Sequence, residues 1–153
     1  MSCGKLPNFI AGRMRDLDRW FLYTAFFDTG DYGVVKVGIS RIPFKRLGQV
    51  HSGCPFPLEA AQFVAVGSGV IARRIERALQ TSWTGRRLRG EWYRFDFADP
   101  HAKQAFHRGT RDCYAAHVGR LLEWTKVDVE KVIESVSQPT YDRNSYRQRT
   151  VSR

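Results

Sequence analysis

Residues 21–40 read FLYTAFFDTGDYGVVKVGIS, and the fold turns on how they are read. Residues 21–27 are apolar and aromatic, with Tyr23 among them, and residues 34–39 are rich in β-branched side chains. Both compositions suit a pleated, half-buried strand. Asp28-Thr29-Gly30-Asp31-Tyr32-Gly33 lies between them and supplies the Gly and Asp that a tight connection requires. The stretch predicts a β-hairpin.

Working outward, Ile42-Pro43-Phe44 opens a short helix to about Val50. Proline suits a first helical turn, and Phe44, Leu47 and Val50 share a face. Residues 51–57, HSGCPFP, end it. Residues 58–66 read as a third strand. Ser68 can cap a helix over 69–83, whose apolar stripe is Val70, Ile71, Ile75, Ala78, Leu79 and Trp83. Arg73, Arg74, Glu76 and Arg77 lie beside or opposite that stripe. A basic loop over 84–90 leads to a short final strand over 91–97, anchored by Trp92.

From Asp99 onward the pattern turns helical, over 100–111 and 112–136, with Leu121, Leu122, Val129, Val132, Ile133 and Val136 as the expected buried set. The expected organisation is a lead-in over 1–19, a domain over 20–97, a helical extension over 98–137 and a mobile basic tail over 138–153. The fold class is α/β of the α+β kind, a small mixed sheet of three to four strands flanked by helices, with an appended helical segment.

The chain has 153 residues and a formal net charge of +10. Such a charge favours a polyanionic partner, because neutralised phosphates release counterions and so drive binding. Cys3, Cys54 and Cys113 are few and far apart, which argues against a disulfide framework or a thiolate zinc site and fits a cytoplasmic protein. No apolar run is long enough to span a membrane, and the N-terminus lacks the pattern of a signal peptide. No zinc finger or helix-turn-helix pattern reads a DNA sequence.

Phe21-Leu22-Tyr23, Lys36-Val37-Gly38-Ile39, Arg46-Leu47, Glu76 and Gly90-Glu91-Trp92-Tyr93, in that order, resemble the GIY-YIG nuclease superfamily. The likeness is to the branch common in phages, whose second motif reads K-[IV]-G-[IT] and whose domain closes on GEW and an aromatic. It spans about 20–96. It implies a metal-dependent endonuclease that hydrolyses phosphodiester bonds in DNA, with RNA also open, using Mg²⁺ or Mn²⁺.

The resemblance assigns Tyr23 to deprotonating or positioning the attacking water. A phenol with a pKa of about 10 is a weak base at neutral pH, so positive charge from Arg46, Lys36 or the metal is needed. Arg46 would neutralise a phosphoryl oxygen through its fork of N–H groups. Glu76 is the implied metal ligand, since Mg²⁺ keeps several waters and needs few carboxylates. Lys36 stands where the superfamily usually has a tyrosine, either to touch phosphate or to act on Tyr23. Glu91 would orient Arg46 or another base, or merely close the fold, and His51 would assist proton transfer or touch phosphate, or be a loop histidine with no role. Lys45, Arg73, Arg74, Arg86, Arg87 and Arg89 are the expected nucleic-acid contacts.

Each residue also has a plainer reading. Tyr23 can be a strand aromatic, Arg46 one more surface arginine and Glu76 an ion-pair partner for its arginine neighbours. Many superfamily members carry an asparagine shortly after the glutamate, and this chain has only Asn8 and Asn144. The alternative function is therefore a catalytically inactive nucleic-acid-binding protein on the same fold. A weaker third reading is a protein that targets an acidic protein surface.

Overall fold

The computed structural model describes residues 19–137; the lead-in over 1–18 and the tail over 138–153 lie outside them. β1 (Trp20–Asp28) and β2 (Gly33–Ser40) form the expected antiparallel hairpin, with Tyr23 opposite Gly38 and Ala25 opposite Lys36. Its turn is closed by side chains. Asp28 Oδ1 accepts from Gly30 N at 2.8 Å, and Thr29 Oγ1 accepts from Tyr32 N at 3.2 Å. Gly30 takes φ 94°, a conformation that glycine reaches without a steric cost.

β3 (Leu58–Gly67) pairs with the other side of β1, so β1 forms the spine of the sheet. Three short strands complete it: β4 (Arg87–Arg89), β5 (Trp92–Arg94) and β6 (Thr125–Lys126). The order is β4-β5-β2-β1-β3-β6, and every pair is antiparallel. The expected mixed sheet of three to four strands is thus corrected to six antiparallel strands. Strands of two or three residues are too short to show an alternation in sequence. The loop over 84–90 is one turn of 3₁₀-helix followed by β4, and the strand expected over 91–97 is confined to β5.

Four helices cover the two faces. α1 (Pro43–Ser52) begins on its proline; α2 (Gly69–Ser82) is capped by Ser68, whose Oγ accepts from Ile71 N at 3.2 Å. α3 (Pro100–Val118) is capped by Asp99 and stops at Gly119, which takes φ 74°. α4 (Val129–Ser137) ends the described chain. Period-two alternation divides the core. Tyr23, Ala25, Phe27 and Val34 face Leu47 and Val50 of α1 and Val132 of α4. Leu22, Val35, Val37, Val64 and Val66 face Ala72, Ile75 and Leu79 of α2 and Phe106 and Tyr114 of α3. Each buried Val, Leu, Ile or Phe among them contributes about 1.5–3 kcal/mol.

The C-terminal part departs from its expected reading. Gly119 breaks the helical run expected over 112–136, and β6 joins the outer edge of β3. Of the expected buried set only Val132 is fully buried; Leu121 is 71% exposed and Val136 38%. The periodicity was carried across a left-handed glycine, which shifts the phase of everything beyond it. Among the described residues, no helix is long and apolar enough to cross a membrane.

Candidate functional site

β5 pairs with β2 only from Val34 to Lys36, and the next ladder bond runs from Val37 N to Glu91 O at 3.3 Å. From Gly38 to Ser40 that edge of β2 has no strand beside it among the described residues. The chain leaves this open end through a turn in which Ser40 Oγ accepts from Ile42 N at 3.0 Å. α1 then crosses the Tyr23 face. Leu47 and Val50 enter the core, and Arg46, one step before Leu47, stays exposed at the rim.

Tyr23 lies beneath that rim, 1% exposed, and its hydroxyl oxygen accepts from Arg46 Nε at 3.4 Å. Arg46 is steadied from below by Gln49, whose Oε1 accepts from the guanidinium at 3.2 Å. Gln49 escaped the sequence reading, although an i, i+3 spacing on a helix is the signal that pairs two side chains. Burial pushes the Tyr23 phenol above its usual range, and Glu91 and Glu76 push the same way. The bond and charge of Arg46 oppose this without reversing it. Tyr23 is therefore a phenol at neutral pH. With its oxygen accepting from Arg46, its own proton remains available to a further acceptor.

Glu76 reaches the site from α2, on the opposite side of the sheet. Burial raises its carboxyl above the ordinary range, Glu91 adds to the rise, and Lys36, Arg73 and Arg77 pull it back. Among the described residues it makes no ion pair, although Arg73 and Arg77 stand one helical turn and one residue away. The plain ion-pair reading of Glu76 is not the arrangement adopted. A half-buried carboxylate without a counterion is a ready ligand for a hard cation.

Lys36 is held by Glu91, with Nζ 2.8 Å from Oε2, and its ammonium lies 5.4 Å from the centroid of the Trp92 ring. Glu91 is thus paired with Lys36. Tyr93, on the other face, was not singled out as a site residue. Its hydroxyl is buried, has no hydrogen-bond partner among the described residues, and feels the charges of Arg87, Glu91 and Glu76.

Tyr23 and Arg46 are joined by one bond and Lys36 and Glu91 by another, while Glu76, from α2, is near enough to feel the charges of Lys36 and Glu91. His51 does not join them. It sits in the last turn of α1, five residues beyond Arg46 and so on another side of the helix, beside Cys54 and Val136. Its Nδ1 is buried without a partner among the described residues. The basic residues divide as well. Arg73 lies on the Glu76 side of α2, while Arg74 points away at helical spacing, and Lys45 is exposed on α1. Arg86 is occupied over the Phe95 ring at 4.7 Å, and Arg87 Nε donates to Gly90 O at 2.8 Å, so both shape the β4–β5 turn. Arg89 is exposed and its side chain has no ion-pair partner among the described residues.

Among the described residues no group of three or more His, Cys, Asp or Glu side chains could hold a metal, so any cation here would rely on Glu76 and its surroundings. No family model, curated protein or solved structure matches this chain.

Proposed function

We propose that the chain is a metal-dependent endonuclease of the GIY-YIG type, hydrolysing phosphodiester bonds in DNA. The observation that carries this reading is the meeting of a phenol, a guanidinium and an unpaired carboxylate at the open edge of β2, with Arg46 3.4 Å from the Tyr23 hydroxyl. Each answers one need of phosphodiester hydrolysis: an oriented water, compensation of the phosphoryl charge and help for the leaving oxygen.

Arg46 directs its remaining N–H groups at a phosphoryl oxygen while holding the phenol. Tyr23 positions the attacking water through its free proton or lone pair. Its raised pKa means that it orients the water rather than deprotonating it unaided. Glu76 would hold Mg²⁺ or Mn²⁺, which when bound supplies positive charge at the leaving oxygen. Lys36, fixed by Glu91, opposes the rise of the Glu76 carboxyl pKa and so favours its ionised form. The open edge, the exposed Lys45, Arg73 and Arg89 and the net charge of +10 suit a polyanionic strand.

A second reading, an inactive nucleic-acid-binding protein, draws support from two of the same facts: Tyr23 stays a phenol and Lys36 is committed to Glu91. Plasmid incubated with purified protein and Mg²⁺ separates the two. The nuclease reading expects nicking that Glu76→Ala abolishes while binding is largely kept. Salt-dependent retention of DNA without cutting of plasmid, branched DNA, single strands or RNA would favour the second reading.

A further inference from the structure

A groove of about 430 Å³ opens beside the site. Its walls come from β2, the loop after α1, β4 and β5, and the residues that define it are Tyr32, Cys54, Phe56, Leu88, Arg89 and Trp92. Phe56 and Leu88 are large apolar side chains left 38% and 48% exposed. Among the described residues Arg89 is the sole charged one lining the groove, and no acid lines it. Trp92 belongs both to the groove and to the site, since the Lys36 ammonium stands 5.4 Å from its ring.

Aromatic faces beside a free arginine, with no acid, match a nucleobase and its phosphate in both shape and charge. A base paired within a duplex cannot present its face to Phe56 or Trp92 without leaving the stack. We propose that this groove seats an unstacked base flanking the reacting phosphodiester, so that the preferred substrate carries unpaired nucleotides: a single strand, a gap or a branch. The proposal rests on the nuclease reading for what happens at the phosphate, but the groove's affinity can be measured without cleavage.

The test uses the full chain in EDTA and follows the anisotropy of a labelled oligothymidylate and of a blunt duplex of equal length. Phe56→Ala, at an exposed position, should weaken oligothymidylate binding about tenfold and leave duplex binding within about twofold. Leu88→Ser should act in the same direction. In the unmodified protein, saturating oligothymidylate should slow alkylation of Cys54, located by peptide mapping, while the duplex should not.

Equal losses on both ligands, or no loss on either, would overturn the proposal. So would loss of a self-associated species in Phe56→Ala with unchanged single-strand affinity, which would assign the groove to a second copy of the chain. Absence of cutting on every substrate, alongside the selective loss in Phe56→Ala, would sink the nuclease reading and uphold the groove. Cutting of duplex that ignores both Phe56→Ala and added oligothymidylate would do the reverse.

Discussion

A Cβ placed on Gly38 would stand 2.2 Å from the Tyr23 hydroxyl oxygen, because the two residues face one another across the β1–β2 ladder. The Tyr23 ring lies over the bare backbone of Gly38, and that is how a tyrosine in mid-strand reaches Arg46. Gly38→Ala should therefore displace the phenol. Overpacking of this kind costs about 1–3 kcal/mol. The expected outcome is a lowered melting temperature together with at least a tenfold loss of metal-dependent cleavage. A variant with unchanged stability and unchanged cleavage would show that the ring is not held by this approach.

On the nuclease reading, Glu76 sets stability against activity. Its folded-state pKa is raised, so the stability it contributes is fully present below its unfolded pKa and is lost as pH rises through the folded value. Glu76→Gln, which cannot ionise, should match the native chain in stability at low pH and exceed it at neutrality. Because the carboxyl is partly solvated, the gain should stay below about 1 kcal/mol, or a few degrees in melting temperature. Cleavage should vanish in the same protein. Thermal melts at about pH 4 and about pH 7 check the crossover, and a variant less stable at neutrality would contradict it.

Lys36 and Glu91 should move the pH profile in opposite directions. Lys36 lowers the Glu76 pKa and Glu91 raises it. If an ionised Glu76 is required, Lys36→Met should shift the acid limb of the cleavage profile upward, and Glu91→Gln should shift it downward. Binding measured in EDTA should change little in either case. Shifts of the same sign in both variants would mean that the acid limb belongs to another group.

Arg46→Lys should not preserve function. The Nε bond to Tyr23 and the bond to Gln49 use two parts of one planar guanidinium, which an ammonium cannot reproduce. The cleavage rate should fall about a hundredfold, as for loss of one preorganised donor, with affinity changed far less. Since Arg46 lowers the Tyr23 pKa, Arg46→Gln should raise it further. Tyrosinate absorbance, with a Tyr23→Phe protein subtracted, measures that shift. A rate loss matched by an equal loss of affinity would make Arg46 a binding residue only.

The hairpin, α1, β3 and α2 were legible because each carries a strong local signal: Asp and Gly in the turn, Pro43 at a helix start, Ser68 at a cap. The elements that escaped are those whose form depends on distant neighbours. β4 and β6 have two or three residues and exist only as additions to β5 and β3. Of the motif residues, Tyr23 and Arg46 share a hydrogen bond and Glu76 lies near enough for its charge to act on Tyr23, whereas His51, five residues beyond Arg46, falls on another side of α1. Tyr93 was passed over because its partner-free hydroxyl is a fact of packing that no local pattern records.

The C-terminal segment, read from sequence as an appendage, is part of the frame that holds Arg46. β6 pairs with β3, Val132 is fully buried on the Tyr23 face, and a Cβ on Gly48 of α1 would stand 3.2 Å from Val136 of α4. α1 thus lies between α4 and the sheet edge that carries Tyr23. Val132→Ala should cost about 1–3 kcal/mol through the cavity it leaves and should reduce cleavage by loosening α1. Leu121→Ser, at a side chain 71% exposed, should stay within about 0.5 kcal/mol of the native chain. Denaturant unfolding and cleavage assays on the pair provide the check. Equal stability of the two variants would mean that α4 does not brace α1, and Arg46 would then depend on α1 and Gln49 alone.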